Sequence, residues 1–255
     1  MKRRFFVQRV GSALALGSIS SVFTTFAEEL TTPAKAEEEA IRSMALAFLE
    51  KFGIKGISIA YGRDGKIAFQ QGYGFADVEG KEPVTPDHRF RIASVSKPIT
   101  ASAIMVCIEK GLLKLESKVF GPQGILGSAY GDKLPANVLA LTVDHLLTNT
   151  SGWLSHWVNG KSQGDDPMFR NPGMNHQELI TWALKNQKQL YPPGTNYTYS
   201  NFGYCILGRV LEKVTKQSYE KFVTQQVLSR CGISDMGIGG NTLKDRKPRE
   251  VLYHE

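Results

Sequence analysis

From Lys35 to Phe52 apolar residues recur every three or four positions, at Ile41, Met44, Ala45, Phe48, Leu49 and Phe52. That period predicts an amphipathic helix. The pattern then changes to short β-type runs, Gly56 to Tyr61 and Lys66 to Tyr73, around Asp64-Gly65. An Asp-Gly pair between such runs predicts an antiparallel hairpin. Ala76 to Phe90 has no period and is expected as loop. Ser94 to Gly111 predicts a helix of another kind: between Pro98 and Ile108 only Thr100 and Ser102 are polar. A helix apolar on all sides is normally central, so its N-terminus is expected inside the protein, away from bulk water. A short helix is predicted over Thr142 to Leu147, and a long polar loop bordering a cleft over Ser155 to Asn175. Helices are predicted over Gln177 to Gln187, Gly203 to Lys216 and Ser218 to Leu228. The fold class is α+β. One hairpin does not make a stable sheet by itself.

Ser94-Val95-Ser96-Lys97 opens the apolar helix. Residues at i and i+3 share a helix face. A serine hydroxyl is a weak nucleophile until a base takes its proton, and a partly desolvated lysine is such a base. The spacing alone says little, because Ser218-Tyr219-Glu220-Lys221 repeats it in a charged stretch that reads as solvated helix surface. A second cluster gives the first its weight. Pro192-Pro193-Gly194 marks a turn, and Tyr199-Ser200-Asn201 follows, just before an apolar helix. A phenol beside an ammonium loses its proton more readily, which makes Tyr199 a second candidate base. Asn201 carries an amide donor and acceptor suited to a substrate carbonyl or amide. The plain alternative makes Tyr199 a packing aromatic and Asn201 a helix cap. A rival nucleophile, Ser162 in Gly160-Lys-Ser-Gln-Gly164, has the letters of a hydrolase elbow. It lacks the strand before and helix after that an elbow needs. Trp153 and Trp157 beside it are expected to line a pocket or pack under the loop.

Three segments follow one another in order: Ser94-Val-Ser-Lys97-Pro-Ile-Thr-Ala, Leu146-Leu-Thr-Asn-Thr-Ser-Gly152, and Pro193-Gly-Thr-x-Tyr-x-Tyr199-Ser-Asn201-x-Gly-Tyr204. Together they resemble the serine β-lactamase and penicillin-binding-protein superfamily, in its branch of class C β-lactamases, D-alanyl-D-alanine carboxypeptidases and related esterases. The resemblance covers roughly residues 40 to 255. It implies a β-lactamase/transpeptidase-like fold, an antiparallel sheet flanked by helices plus a mainly helical lobe. It implies Ser94 as the acylated nucleophile, Lys97 as its proton partner, Tyr199 as general base and Asn201 as ligand of a substrate amide. Which of Lys97 and Tyr199 takes the serine proton is left open by the sequence. The family usually has histidine where this chain has Asn149, and no chemistry is assigned to that loop. The chain departs from the family by carrying no late Lys-Thr-Gly or His-x-Gly motif. The resemblance therefore implies a sheet short of its late strands, as in a fragment or shortened relative. The expected activity is serine hydrolysis of an ester, a β-lactam or a D-alanyl peptide. The alternative is a weak or inactive penicillin- or peptidoglycan-binding relative.

Composition narrows this little. The 31 Lys and Arg against 24 Asp and Glu give +7, and Lys2, Arg3, Arg4 and Arg9 account for all but +3. No basic stripe interleaved with aromatics points to nucleic acid. Residues 1–27 read as an export signal: a positive start, a modest apolar run, and Thr25-Phe-Ala27 at the cleavage position. The Arg3-Arg4 pair resembles a twin-arginine signal, with an ordinary secretory signal as the alternative. Residues 28–255 are then one hydrolase domain, periplasmic or secreted, with no permanent membrane span. Cys107 and Cys205 lie in apolar helical stretches and read as small core residues. Cys231 lies beside a glycine turn, and no disulfide is expected. No spacing supports a metal site, and no cofactor is implied. The expected partner is a small-molecule or peptidoglycan-derived substrate.

Overall fold

The computed structural model describes residues 33–253, apart from 78, 132, 154–156, 159–160, 163–166, 168–170, 172 and 241. The export-signal segment lies outside the described residues. The chain divides into two compact units, residues 1–90 with 246–255, and residues 91–245.

The first unit is built on α1 (Lys35–Phe52) and a hairpin of β1 (Gly56–Arg63) and β2 (Lys66–Gly74). Glu37 and Glu38 occupy the first turn of α1 and Lys51 the last, which suits the helix dipole. Gly53, at φ +64°, ends the helix, and the Ile54 N–H closes it on the Leu49 carbonyl at 3.0 Å. The hairpin pairs Ile57 with Tyr73, Ile59 with Gln71 and Tyr61 with Phe69. Asp64 and Gly65 both take positive φ at its tip, as a two-residue turn of this twist requires. Tyr61 donates to Glu37 Oε1 at 3.0 Å and so ties β1 to α1. Gly72 admits no side chain: a Cβ there would lie 2.2 Å from the Val84 carbonyl oxygen. Residues 249–252 run beside the loop, with Val251 N–H on the Arg89 carbonyl and Leu252 N–H on the Ala76 carbonyl. The core of the unit is small, formed by Ala76, Val84 and Val251 with Phe90 against them. Met44, Phe48 and Phe52 of α1 remain exposed.

The second unit is helical. A 3₁₀ turn (Ala93–Val95) leads into α2 (Ser96–Glu109). Then come α3 (Ala136–Leu139), α4 (Val143–Leu147), the two-residue strands β3 (Trp157–Val158) and β4 (Lys161–Ser162), and α5 (His176–Asn186). Next are α6 (Asn201–Thr215) and α7 (Tyr219–Val223), continued by a π turn over Thr224–Leu228. Ile104 and Cys107 of α2, Leu146 of α4, Ile180 of α5 and Phe202, Ile206, Leu207 and Leu211 of α6 form one core from which water is excluded. Burying each such Leu or Ile contributes about 1.5–3 kcal/mol.

Two expectations change here. The helix over Ser94 to Gly111 begins as α-helix only at Ser96, and Ser94 sits in the turn before it. It is also not covered all round. Thr100, Ala103, Ile104 and Cys107 face the core, while Val95 is 64% and Met105 50% exposed. Apolar composition marks a helix as able to be central, but packing partners decide which sides are covered. Ser94 is consequently exposed rather than sealed from solvent. The helix expected over Ser218 to Leu228 runs regularly only to Val223 before widening into the π turn.

Candidate active site

Ala93 takes φ +43°, a conformation that costs an L-residue on the order of 1 kcal/mol. Ser94 follows in the turn before α2, and no side-chain cap bond is made at Ile92, ahead of that turn, or at Val95, ahead of the helix. The Ser94 hydroxyl is thereby left for partners outside its own helix. Lys97 lies one turn on, and its Nζ donates to Ser94 Oγ at 3.2 Å. Pro98 follows within the first turn, where a missing N–H removes no helical bond.

The opposite wall is an extended segment held from behind. Tyr197 is exposed, Thr198 buried, Tyr199 half-buried and Ser200 buried. This alternation places Tyr197 and Tyr199 on one face. Thr198 Oγ1 donates to the Trp153 carbonyl at 2.7 Å. The Ser200 hydroxyl caps α6 by accepting from the Gly203 N–H at 2.9 Å. Asn201 is therefore the first residue of α6 and not its cap. Trp153 packs under the loop, 2% exposed and edge-on to Phe202 at 4.9 Å between ring centres.

Ser94, Lys97, Tyr199 and Asn201 meet in one network inside the second unit. Ser94 Oγ is hydrogen-bonded to the Tyr199 hydroxyl. Lys97 Nζ donates to the Tyr199 hydroxyl oxygen at 2.6 Å and to Asn201 Oδ1 at 2.5 Å, besides Ser94. An ammonium has three N–H donors and no acceptor, and here three oxygens receive them. A donor-only group also fixes the amide orientation: Oδ1 of Asn201 faces Lys97, which leaves its Nδ2 as a donor. The ammonium lies 4.4 Å from the centre of the Tyr199 ring and 5.5 Å from that of Tyr204. Tyr204 donates to the Leu147 carbonyl at 3.0 Å. Burial, and then the neighbouring phenols of Tyr199 and Tyr197, push its own pKa up. Tyr204 is thus a neutral wall of the site. The Val95 N–H reaches the Ile92 carbonyl at 2.9 Å. The Ser94 N–H precedes it, among the opening amides of a helix that lack intrahelical partners.

The rival residues separate from this network. Ser218 caps α7 by accepting from the Lys221 N–H at 3.3 Å. Ser162 lies in the two-residue strand β4, paired antiparallel with β3, while Gly160 and Gly164 of the elbow lie outside the described residues. None of Cys107, Cys205 and Cys231 is in a disulfide. Among the described residues no group of His, Cys, Asp and Glu is arranged to hold a metal, and none of their helices is long and apolar enough to cross a membrane.

Sequence reasoning passed over Asn149. It adopts φ +56°. Its carbonyl accepts from the Thr198 N–H at 2.8 Å, and its Oδ1 from the Ser200 N–H at 3.0 Å. The one available signal was an Asn between threonines before Ser-Gly, a residue that tolerates the left-handed region and bonds nearby backbone.

The family model described as Beta-lactamase matches residues 41–253. "Protein flp" of Staphylococcus aureus (strain NCTC 8325 / PS 47) is 31% identical over 180 residues, 71% of this chain and 34% of that protein. The solved structure of the octameric penicillin-binding protein homologue from Pyrococcus abyssi is similar at 29% identity and TM-score 0.62. That match covers 78% of this chain and 44% of the other. A class C beta-lactamase solved in complex with cefoxitin shares the fold at 23% identity and TM-score 0.61, over 82% of this chain and 51% of its own. The chain spans about a third of the length of the curated relatives it matches. Its fold is β-lactamase/transpeptidase-like, with helices and a two-stranded antiparallel sheet in the first unit.

Proposed function

The chain belongs to the Beta-lactamase family, a family of serine hydrolases, and from that premise we propose that it transfers acyl groups through Ser94. The carrying observation is the threefold donation by Lys97 to Ser94, Tyr199 and Asn201. An ammonium has no lone pair with which to take a further proton, and these three bonds suit the protonated form. Tyr199, held as a phenolate by the Lys97 ammonium, is then the group oriented to accept the Ser94 proton and becomes a neutral phenol in doing so. Ser94 Oγ attacks the substrate carbonyl, and the Ser94 N–H supports one donor to the oxyanion. Asn201 Nδ2 donates to a substrate carbonyl. Return of the proton from Tyr199 frees the leaving group, and water then cleaves the acyl-enzyme. The substrates are acyl compounds with an exposed carbonyl: an ester, a β-lactam or a D-alanyl peptide. The leader with Arg3-Arg4 supports export, which would bring the protein to peptidoglycan-derived substrates in the periplasm or outside the cell.

Intact mass after incubation with a penicillin tests the reading. An adduct on the wild type that is absent from Ser94→Ala supports acylation. No adduct, together with no hydrolysis of a short acyl ester, contradicts it. A lasting stoichiometric adduct without turnover marks a penicillin binder rather than a hydrolase.

A further inference from the structure

Tyr199 has to sit within hydrogen-bond reach of two side chains at once, on a segment with no sheet partner along its length among the described residues. Its placement therefore depends on whatever holds the peptide on either side. One residue does both. The Asn149 carbonyl takes the Thr198 N–H and its side-chain Oδ1 takes the Ser200 N–H. These are the amides immediately before and after Tyr199. Asn149 makes both bonds from the left-handed region, at φ +56°. Asparagine enters that region at less cost than most residues.

The loop carrying Asn149 is itself anchored. Thr150 accepts from the Gly194 N–H at 2.8 Å, Gly152 from the Leu190 N–H at 2.9 Å, and Ser151 from Gln189 Nε2 at 2.6 Å. Gly152, at φ +85°, leaves no room for a side chain, since a Cβ there would lie 2.0 Å from the Tyr191 carbonyl oxygen. The clamp is thus fixed to the same turn that launches the Tyr199 segment.

We propose that Asn149 is a positioning residue that sets where the Tyr199 hydroxyl stands between Ser94 Oγ and Lys97 Nζ. It touches neither substrate nor the reacting atoms. Its kinetic consequence rests on the acyl-transfer reading, whereas the placement of Tyr199 does not. Loss of the side-chain acceptor frees the peptide at Ser200 while the Thr198 bond survives, so the phenol shifts without the fold being lost.

The test compares Asn149→Gly, which keeps the left-handed backbone and removes Oδ1, with Asn149→Asp, which keeps an acceptor. Tyrosine labelled with ¹³C at the ring carbon bearing oxygen reports the phenol directly, with the Tyr199 signal identified by its loss in Tyr199→Phe. In Asn149→Gly the Tyr199 signal moves while that of Tyr61, on β1 of the first unit, stays, and in Asn149→Asp the Tyr199 signal returns toward the wild-type position. Acylation by a penicillin slows about ten- to a hundred-fold in the Gly variant, in the rate of acylation more than in binding, and recovers in the Asp variant at its own pH optimum. An unmoved Tyr199 signal in Asn149→Gly overturns the proposal, whether or not the wild type is acylated. Absence of acylation in the wild type instead contradicts the function, and the labelled tyrosine still decides the clamp.

Discussion

Ser94-x-x-Lys97 and Ser218-x-x-Lys221 have the same letters and the same spacing, each leading into a helix, and they do different things. At Ser218 the hydroxyl accepts from the Lys221 backbone N–H and closes the first turn of α7. It is occupied by its own helix. At Ser94 the chain enters through Ala93 at φ +43°, and the hydroxyl caps nothing. It is bonded instead to Lys97 and to Tyr199, a residue 105 positions away. Both serines are exposed, so burial does not separate them. What separates them is whether the hydroxyl is used locally and whether a second segment brings partners to it.

Removing those partners should have the largest effect. Lys97→Met and Tyr199→Phe should each lower the acylation rate about 10²- to 10⁴-fold, the range of general acid–base catalysis. The corresponding change at Lys221 should leave the rate where it was. Stopped-flow acylation by a chromogenic β-lactam reads both. If Lys97→Met acylates as fast as wild type, the network is structural only.

Acid should act on the fold of the second unit. Burial pushes the His145 pKa below its usual value of 6.5, and His176 is lowered first by burial and then by Arg209. His145 Nδ1 accepts from the Thr142 N–H, and a Cβ added to Gly194 would lie 3.0 Å from its other ring nitrogen. Neutral histidine is the form that fits. The unfolded chain takes up a proton first as pH falls, so stability is full above about pH 6.5 and is lost as pH falls through the depressed folded values. Urea midpoints measured across this window check the sign, and His145→Gln should flatten part of the slope. Midpoints that rise on acidification contradict it.

The smallest effect belongs to the other serine. Ser218→Ala removes a helix cap and should cost about 1 kcal/mol of stability with no change in acylation. A loss of acylation in a folded Ser218→Ala protein would erase the distinction between the two motifs.

The pattern of the chain made much of this visible. α1 runs from Lys35 to Phe52 as its period predicts, and Asp64-Gly65 turns the hairpin where an Asp-Gly pair should. Period and turn chemistry are local, and local sequence encodes them. The meeting of Ser94 and Lys97 with Tyr199 and Asn201 was legible only because two ordered clusters of reactive side chains resembled a family. The exposure of Ser94 was not legible, since residue types on α2 do not say which of its sides find neighbours. Asn149 was missed for a related reason: its grip on Thr198 and Ser200 depends on backbone atoms about fifty residues away, which no side-chain pattern records. Ser200 caps α6 from the extended region, at φ −142° and ψ 112°, and Asn201 is the first helical residue.

The central claim is that Ser94, and no other serine with a lysine three residues on, becomes covalently acylated. Proteolytic digestion of the penicillin-treated protein, with the adduct located by fragment mass, tests it most directly. The acyl group is expected on the peptide containing Ser94, with the Ser218 peptide unmodified. An adduct on Ser218, or equal labelling of Ser94→Ala and wild type, would contradict it.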